Sequence, residues 1–123
     1  KDMSKKIMLV DDAAFMRMMI KNTLKQNGYT EIVEAENGEK AVSLYNSEKP
    51  DLILMDITMP VMDGLEALKK LKEINNDVKV VMCSAMGQEA MVVEALKLGA
   101  KDFIVKPFKP DRIMKTVNGI LGA

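Results

Sequence analysis

Residues 52–56 read LILMD, four apolar residues that run directly into a carboxylate. The same pattern recurs in residues 7–12 (IMLVDD), 80–84 (VVMCS) and 103–107 (FIVKP), where an apolar run ends in an acidic, hydroxyl or basic side chain. If these runs are parallel strands, their carboxyl ends lie side by side, at the edge where open α/β sheets bind ligands. Three carboxylates, one hydroxyl and one ammonium group would then meet there, an array that suits one Mg²⁺ ion and one phosphoryl group.

Helix-like segments alternate with strand-like runs along the whole chain. Strict alternation is typical of a parallel sheet with helices on both faces. The second strand carries charges and the fifth follows Lys101-Asp102, so both are expected at sheet edges. We therefore predict a single-domain, doubly wound, flavodoxin-like (βα)5 fold of the α/β class with strand order 2-1-3-4-5. Apolar periodicity and Gly, Pro and Asn punctuation predict strands at 7–10, 32–33, 51–55, 78–82 and 103–105, and helices at 13–26, 37–46, 65–74, 88–98 and 110–121.

Length and composition favour one small globular domain. The chain has 123 residues, 48% of them apolar, which is enough for one packed core. We expect the domain to span residues 4–123, with residues 1–3 an N-terminal remnant before it. Lys plus Arg and Asp plus Glu both total 18, no dense basic run stands out and aromatic residues make up only 4%. These features argue against a nucleic-acid partner, and the lack of a long uncharged apolar run argues against a membrane partner.

The histidine and cysteine counts exclude whole classes of chemistry. With no histidine, the chain cannot use Ser-His-Asp or Cys-His catalysis or a His-ligated zinc site. Any phosphohistidine must therefore come from a partner. Its one cysteine, Cys83, cannot form an internal disulfide, which favours a reducing, cytoplasmic setting, and it is interpreted as a small buried strand residue.

Each polar strand-end residue also has a plain structural interpretation. Asp11-Asp12 could cap the following helix, Ser84 could be a turn residue and Lys106 a solvated lysine. Asp56 is harder to explain, because an ionisable group after four apolar residues packs poorly without a function or a partner. Close carboxylates repel unless a cation intervenes, and a metal-bound carboxylate can act as a nucleophile toward a phosphoryl group. Lys106 and Ser84 would neutralise and hydrogen-bond the remaining phosphoryl oxygens.

The motif set resembles the response-regulator receiver domains of bacterial two-component signalling, and in particular the stand-alone chemotaxis receivers. The resemblance covers essentially the whole chain, and the residues that carry it are Asp11-Asp12, Met55-Asp56 with Met59-Pro60 and Asp63-Gly64, Ser84-Ala85, Gly99 to Phe103 and Lys106-Pro107-Phe108. It implies a phosphorylation-activated switch rather than a metabolic enzyme.

The resemblance also implies a role for each site residue. Asp56 would accept the phosphoryl group, with Asp12, Asp56 and the Thr58 backbone carbonyl binding Mg²⁺ directly and Asp11 binding it through a water. Lys106 would contact a phosphoryl oxygen, and the Lys106-Pro107 bond would be cis. Ser84 and Phe103 would form the switch pair. Thr58 and Met86 stand where the family varies and phosphoryl lifetime is set; neither is acidic or an amide, which argues against fast self-dephosphorylation.

The implied partners are a histidine kinase of the CheA-like type, the flagellar motor switch protein and a phosphatase. The output face would comprise the last two helices and the fifth strand. The helix at 88–98 has more apolar residues than one core-facing stripe needs, so some must face outward, and Met91 and Val92 are the candidates beside Phe103. Wider burial in a small domain is the alternative for that helix.

Three other functions remain open from the sequence. The chain could be a phosphorelay shuttle that passes the group to a second histidine protein, or a receiver excised from a longer regulator. A haloacid-dehalogenase-type phosphatase also uses a strand-end Asp, Mg²⁺, a Ser or Thr and a Lys. That class needs a second Asp two residues after the nucleophile, and here Thr58 stands at that position.

Overall fold

The computed structural model describes residues 4–85 and 89–122. Met86 and Gln88, which enter the predictions on phosphoryl lifetime and on the start of the fourth helix, lie outside these ranges. Strands and helices alternate strictly through the described residues. Their bounds are β1 Lys6–Val10, α1 Ala14–Gln26, β2 Glu31–Ala35, α2 Gly38–Glu48, β3 Leu52–Asp56, α3 Gly64–Ile74, β4 Val80–Ser84, α4 Glu89–Lys97, β5 Asp102–Val105 and α5 Pro110–Leu121.

The strands form one parallel sheet in the order β2-β1-β3-β4-β5, which confirms the predicted doubly wound topology. The charged β2 and the short β5 are its edges. β3 and β4 are apolar runs buried on both faces, as interior parallel strands require. Because β1 and β3 are neighbours while their following helices lie on opposite faces, the strand order reverses between them, where Asp11 and Asp56 lie.

The core has two halves, one on each face of the sheet, because successive strand side chains point in opposite directions. Met8, Ile53 and Met82 belong to the half covered by α2, α3 and α4. Leu9 and Leu54 belong to the half covered by α1 and α5. Both halves press on the same three interior strands, so the backbone at the carboxyl ends of those strands is held from two sides.

Local signals explain where the helices begin. Asn37 caps α2, since its side chain accepts a hydrogen bond from the Lys40 N–H at 2.8 Å. Asp63 caps α3 in the same way through the Glu66 N–H, and Pro110 occupies the first turn of α5. Ala13 caps α1 without a side-chain bond, so the plain interpretation of Asp11-Asp12 as the cap itself is wrong.

β4 lies two residues later than the strand that the sequence pattern predicts at residues 78–82. Val78 donates its N–H to the Asn75 carbonyl in the turn after α3, and β4 begins only at Val80. Ser84 is therefore the last residue of the strand, with its side chain fully buried. Within residues 4–85 and 89–122, none of the helices combines the length and the apolar character that a membrane crossing demands.

Candidate metal and phosphoryl site

Three carboxylates converge where β1 and β3 end. Asp11, Asp12 and Asp56 each offer a carboxylate oxygen, and these oxygens all lie within 4.8 Å of one another. Asp11 is buried and Asp56 nearly so, whereas Asp12 is exposed. This is the convergence that the strand-end pattern predicts, and its oxygen-only donor set with an open side fits Mg²⁺.

Asp56 lies in an environment that disfavours its charge. Burial raises the pKa of the Asp56 carboxyl, and the nearby charges of Asp11 and Asp12 add to the increase. The ammonium of Lys106 and the Ile57 N–H, which donates to Asp56 Oδ1 at 2.8 Å, oppose these effects without cancelling them. A divalent cation among the carboxylates would relieve this strain, which is a second reason that the cluster fits Mg²⁺.

Lys106 reaches back over the acidic cluster from the end of β5. Its Nζ donates to Asp11 Oδ2 at 2.7 Å and lies 3.6 Å from Asp56 Oδ2. Burial alone would lower the pKa of Lys106, but the hydrogen bond and charge of Asp11 and the charge of Asp56 outweigh it, so the pKa is raised. The lysine is therefore a permanent cation beside the candidate nucleophile, and its peptide bond to Pro107 is cis, as predicted.

The loop after β3 is packed against the Asp56 backbone. Gly64 donates its N–H to the Ile57 carbonyl at 2.7 Å, and a Cβ on Gly64 would lie 2.2 Å from the Asp56 carbonyl oxygen. Thr58 lies in this loop, exposed to solvent; its carbonyl as a metal ligand stays a prediction. Val61, in the same loop, is an exposed β-branched residue held at φ 69°.

The predicted switch residues lie on the two last strands. Ser84 pairs with Val105, and Phe103 pairs with Met82, so the Ser84 and Phe103 side chains project from the same face of the sheet. Both are buried, and Phe103 packs within the core half covered by α4. The Lys106 N–H donates to the Ser84 carbonyl at 2.8 Å, which couples the two strand ends directly. Their switching role stays a prediction.

The expectation that Met91 and Val92 face outward is wrong. Both are partly buried and pack against the core, because they precede the buried Ala95 by four and three residues and share its side of the helix. The large exposed apolar side chains of α4 are Val93 and Leu96, which are 43% and 47% exposed. The assignment of an output face to this part of the molecule stays a prediction.

Sequence patterns missed a charged network beside the acidic cluster. Arg17 donates from Nη1 to the Asp11 backbone carbonyl, and its Nε lies 2.9 Å from Glu34 Oε1 on β2. Lys21 pairs with the other oxygen of Glu34 at 3.1 Å. Burial would raise the pKa of Glu34, but the two cations hold it below its usual value. The four-residue spacing of Arg17 and Lys21 was the available signal, since it places both on one face of α1.

Cys83 plays no part in this chemistry. It is fully buried, and burial raises the pKa of its thiol to about 12, so the sulfur stays protonated. The interpretation of Cys83 as a small buried strand residue is confirmed.

The chain matches the response regulator receiver domain family over residues 7–118. The chemotaxis protein CheY of Bacillus subtilis is 56% identical over 119 residues, which cover 97% of this chain and 99% of that protein. CheY of Thermotoga maritima is 52% identical over 118 residues, which cover 96% of this chain and 98% of that protein.

Solved structures agree with these sequence relatives. A chain in the crystal structure of the CheX-CheY-BeF3-Mg+2 complex from Borrelia burgdorferi superposes with a TM-score of 0.92 at 34% identity, covering 95% of this chain and 89% of that one. The chemotaxis protein CheY4 of Vibrio cholerae superposes with a TM-score of 0.88 at 30% identity, covering 94% of this chain and 98% of that one. Together with the acidic cluster at the sheet edge, these matches show that the chain belongs to the response-regulator receiver domain family of two-component signalling and is CheY-like within it.

Proposed function

We propose that Asp56 accepts a phosphoryl group from a phosphohistidine of a partner kinase. An Asp56 carboxylate oxygen attacks phosphorus, a P–O bond forms, and the P–N bond to the partner's imidazole breaks. The kinase must supply the histidine because this chain has none. The observation that carries the proposal is the placement of Asp56 within 4.8 Å of two further carboxylates and 3.6 Å from a lysine ammonium.

Each neighbour of Asp56 has a part in this transfer. Asp12 and Asp56, with the Thr58 carbonyl, would hold Mg²⁺ directly and Asp11 would hold it through a water; when bound, the ion neutralises charge on carboxylate and phosphoryl oxygens. Lys106 is already positioned by Asp11 and would shift from the Asp56 carboxylate to a phosphoryl oxygen. Ser84 would donate its hydroxyl to a second phosphoryl oxygen, and Phe103 would respond to that movement.

The phosphorylated form would then bind a target, which we propose to be the flagellar motor switch of a chemotaxis system. Support comes from relatives that are named chemotaxis proteins and that match this chain over nearly their whole lengths. The Borrelia relative is named in a complex with CheX, BeF3 and Mg²⁺. For this chain we propose that Mg²⁺ and the phosphoryl group occupy the acidic cluster and that a phosphatase is a further regulatory partner. We propose residues 4–123 as the domain and the cytoplasm as its location.

Labelling with acetyl phosphate or a phosphorylated histidine kinase tests the transfer. Asp56→Asn should keep the fold and lose all label, and parent protein in chelator should be unlabelled. Asp77→Asn is the matched control, because Asp77 is an exposed loop residue remote from the cluster, and it should label normally. Full labelling of Asp56→Asn would contradict the proposal. Turnover of a generic phosphomonoester by the parent would instead favour the phosphatase alternative.

A further inference from the structure

Asp11 is constrained at every polar group it possesses. Its N–H donates to the Ala35 carbonyl on β2 at 3.1 Å. Its carboxylate accepts from the Ala13 N–H at 2.9 Å and from Lys106 at 2.7 Å. Its backbone carbonyl accepts from Arg17. The first three partners fix the Asp11 residue itself, whereas the fourth acts on the peptide that follows it.

That peptide joins Asp11 to Asp12. Its orientation sets the direction in which the Asp12 main chain leaves the sheet, and therefore where the Asp12 carboxylate lies. Asp12 is exposed, in contrast to the buried Asp11. A guanidinium hydrogen bond to the Asp11 carbonyl is thus a restraint on the most exposed of the three carboxylates.

Arg17 is itself held in place. Its side chain is 17% exposed, and its Nε is anchored by Glu34, whose second oxygen is occupied by Lys21. The planar guanidinium presents its donors in a fixed fork, so an anchor on one nitrogen orients another. Glu34 stands on the edge strand β2 and Arg17 and Lys21 on α1, so these three side chains form a bracket that links α1 to β2 across the end of β1.

We propose that Arg17 is a positioning residue of the metal site, which holds the Asp11–Asp12 peptide so that the Asp12 carboxylate faces the cation. The inference rests on the proposed Mg²⁺ site. Outer-shell partners of this kind typically change metal affinity by about tenfold or more when they are removed.

The direction in which Mg²⁺ affinity changes distinguishes a positioning role of Arg17 from a purely electrostatic one. Removing a cation near a divalent metal site reduces repulsion, so charge alone predicts tighter Mg²⁺ binding in Arg17→Met. Positioning predicts weaker binding. Lys21→Met is the matched control, because it removes the same charge from the same Glu34 cluster one helical turn further on, without touching Asp11.

Isothermal titration with MgCl₂ on the full chain measures the dissociation constant for each variant. We expect Arg17→Met to bind Mg²⁺ about tenfold more weakly than the parent and Lys21→Met to stay within about twofold of it. Arg17→Lys should fall between them, since one ammonium cannot hold the carbonyl and Glu34 in the fork geometry. It also carries the test if Arg17→Met does not fold, as judged by thermal unfolding in chelator.

The outcomes are distinguishable. Parent-like or tighter Mg²⁺ binding by Arg17→Met and Arg17→Lys overturns the positioning role and leaves the proposed site intact. Equal weakening by Arg17→Met and Lys21→Met shows that the bracket is only a structural contact between α1 and β2, which also overturns it. A parent that binds no Mg²⁺ overturns the proposed site, and the inference with it.

Discussion

The carboxyl edge of the sheet and the outer face of α4 depart from ordinary protein surfaces in opposite ways. At the edge, charged groups are buried: Asp11 is 5% exposed and the Lys106 side chain 13%. On α4, apolar groups are exposed, with Val93 and Leu96 near one half. Buried charges and exposed apolar side chains both cost free energy in an isolated domain.

The two departures are of different strength. At the edge, the raised pKa of Asp56 shows that its lysine neighbour does not fully offset burial and carboxylate repulsion. A bound cation would offset the remaining carboxylate repulsion, and a phosphoryl group would then bind between the cation and the lysine. On α4, single exposed aliphatic residues are common on soluble proteins and carry less information. The edge is therefore the firmer basis for function.

The largest effect is expected where the loop after β3 meets the edge. Gly64→Ala would place a Cβ 2.2 Å from the Asp56 carbonyl oxygen and 2.8 Å from the Met82 side chain, so the Asp56 backbone must move. We expect a loss of about 3 kcal/mol of stability, at the upper end for overpacking. Asp56 should also label much more slowly with acetyl phosphate.

Gly119→Ala is the control for this substitution. Gly119 lies near the end of α5 with nothing within 4 Å of an added Cβ. The change should stabilise the protein by up to about 1 kcal/mol through helix propensity and leave labelling unchanged. Urea unfolding and labelling kinetics measure both variants. Parent-like labelling in Gly64→Ala would mean that the edge tolerates a displaced backbone.

The second effect comes from the charge of Asp56. Because its pKa is raised in the folded state, its contribution to stability is present below the unfolded pKa and is lost as the pH rises through the folded value. In chelator, Asp56→Asn should therefore be more stable than the parent at neutral pH, and the difference should shrink toward zero in acid.

Mg²⁺ should reverse this order. At a concentration 100 times its Kd, the ion should stabilise the parent by about 2.7 kcal/mol, and Asp56→Asn much less because a charged ligand is missing. Thermal unfolding with and without Mg²⁺, from pH 3 to pH 8, measures both effects. A parent that is more stable than Asp56→Asn in chelator at neutral pH would contradict the account of the edge as electrostatically strained.

The third effect concerns the α4 face. Val93→Asp and Leu96→Asp place a charge on exposed positions and should leave stability and Asp56 labelling near parent values. If this face is the output surface, each should weaken binding of the phosphorylated form to its target by about tenfold. Val92→Asp is a poor test of docking, since Val92 packs against the core and the buried charge should destabilise the fold. Parent-like target affinity for both exposed variants would place the output surface elsewhere.

Topology explains why the edge was predictable and the α4 face was not. Once four apolar runs are parallel strands, the positions of Asp11, Asp56, Ser84 and Lys106 follow from sheet geometry alone. The orientation of α4 depends on which residues find space in the core, and an apolar-rich helix offers several solutions. Ala95 decides it, because the small residue allows close packing and brings Met91 and Val92 to the buried side. The spacing of Arg17 and Lys21 indicates only that both lie on one face of α1. The hydrogen bond from Arg17 to the Asp11 carbonyl was missed because a backbone acceptor leaves no mark in the sequence.

The smallest effect is expected at Val61, which lies in the loop between the edge and α3. Its φ of 69° is the left-handed conformation, which costs an L-residue about 1–2 kcal/mol, and it is 73% exposed, so few contacts offset that cost. Val61→Gly removes the Cβ that makes this conformation unfavourable, but it also increases the conformational freedom of the unfolded chain. We therefore expect a net gain in stability of about 0.5–1 kcal/mol. Val61→Asn should gain a similar amount because asparagine tolerates this conformation, whereas Val61→Ala retains the Cβ and should gain less. Urea unfolding ranks the three variants. If Val61→Ala gains as much as Val61→Gly, the stabilisation comes from removing an exposed apolar side chain, and the backbone at this loop carries no strain.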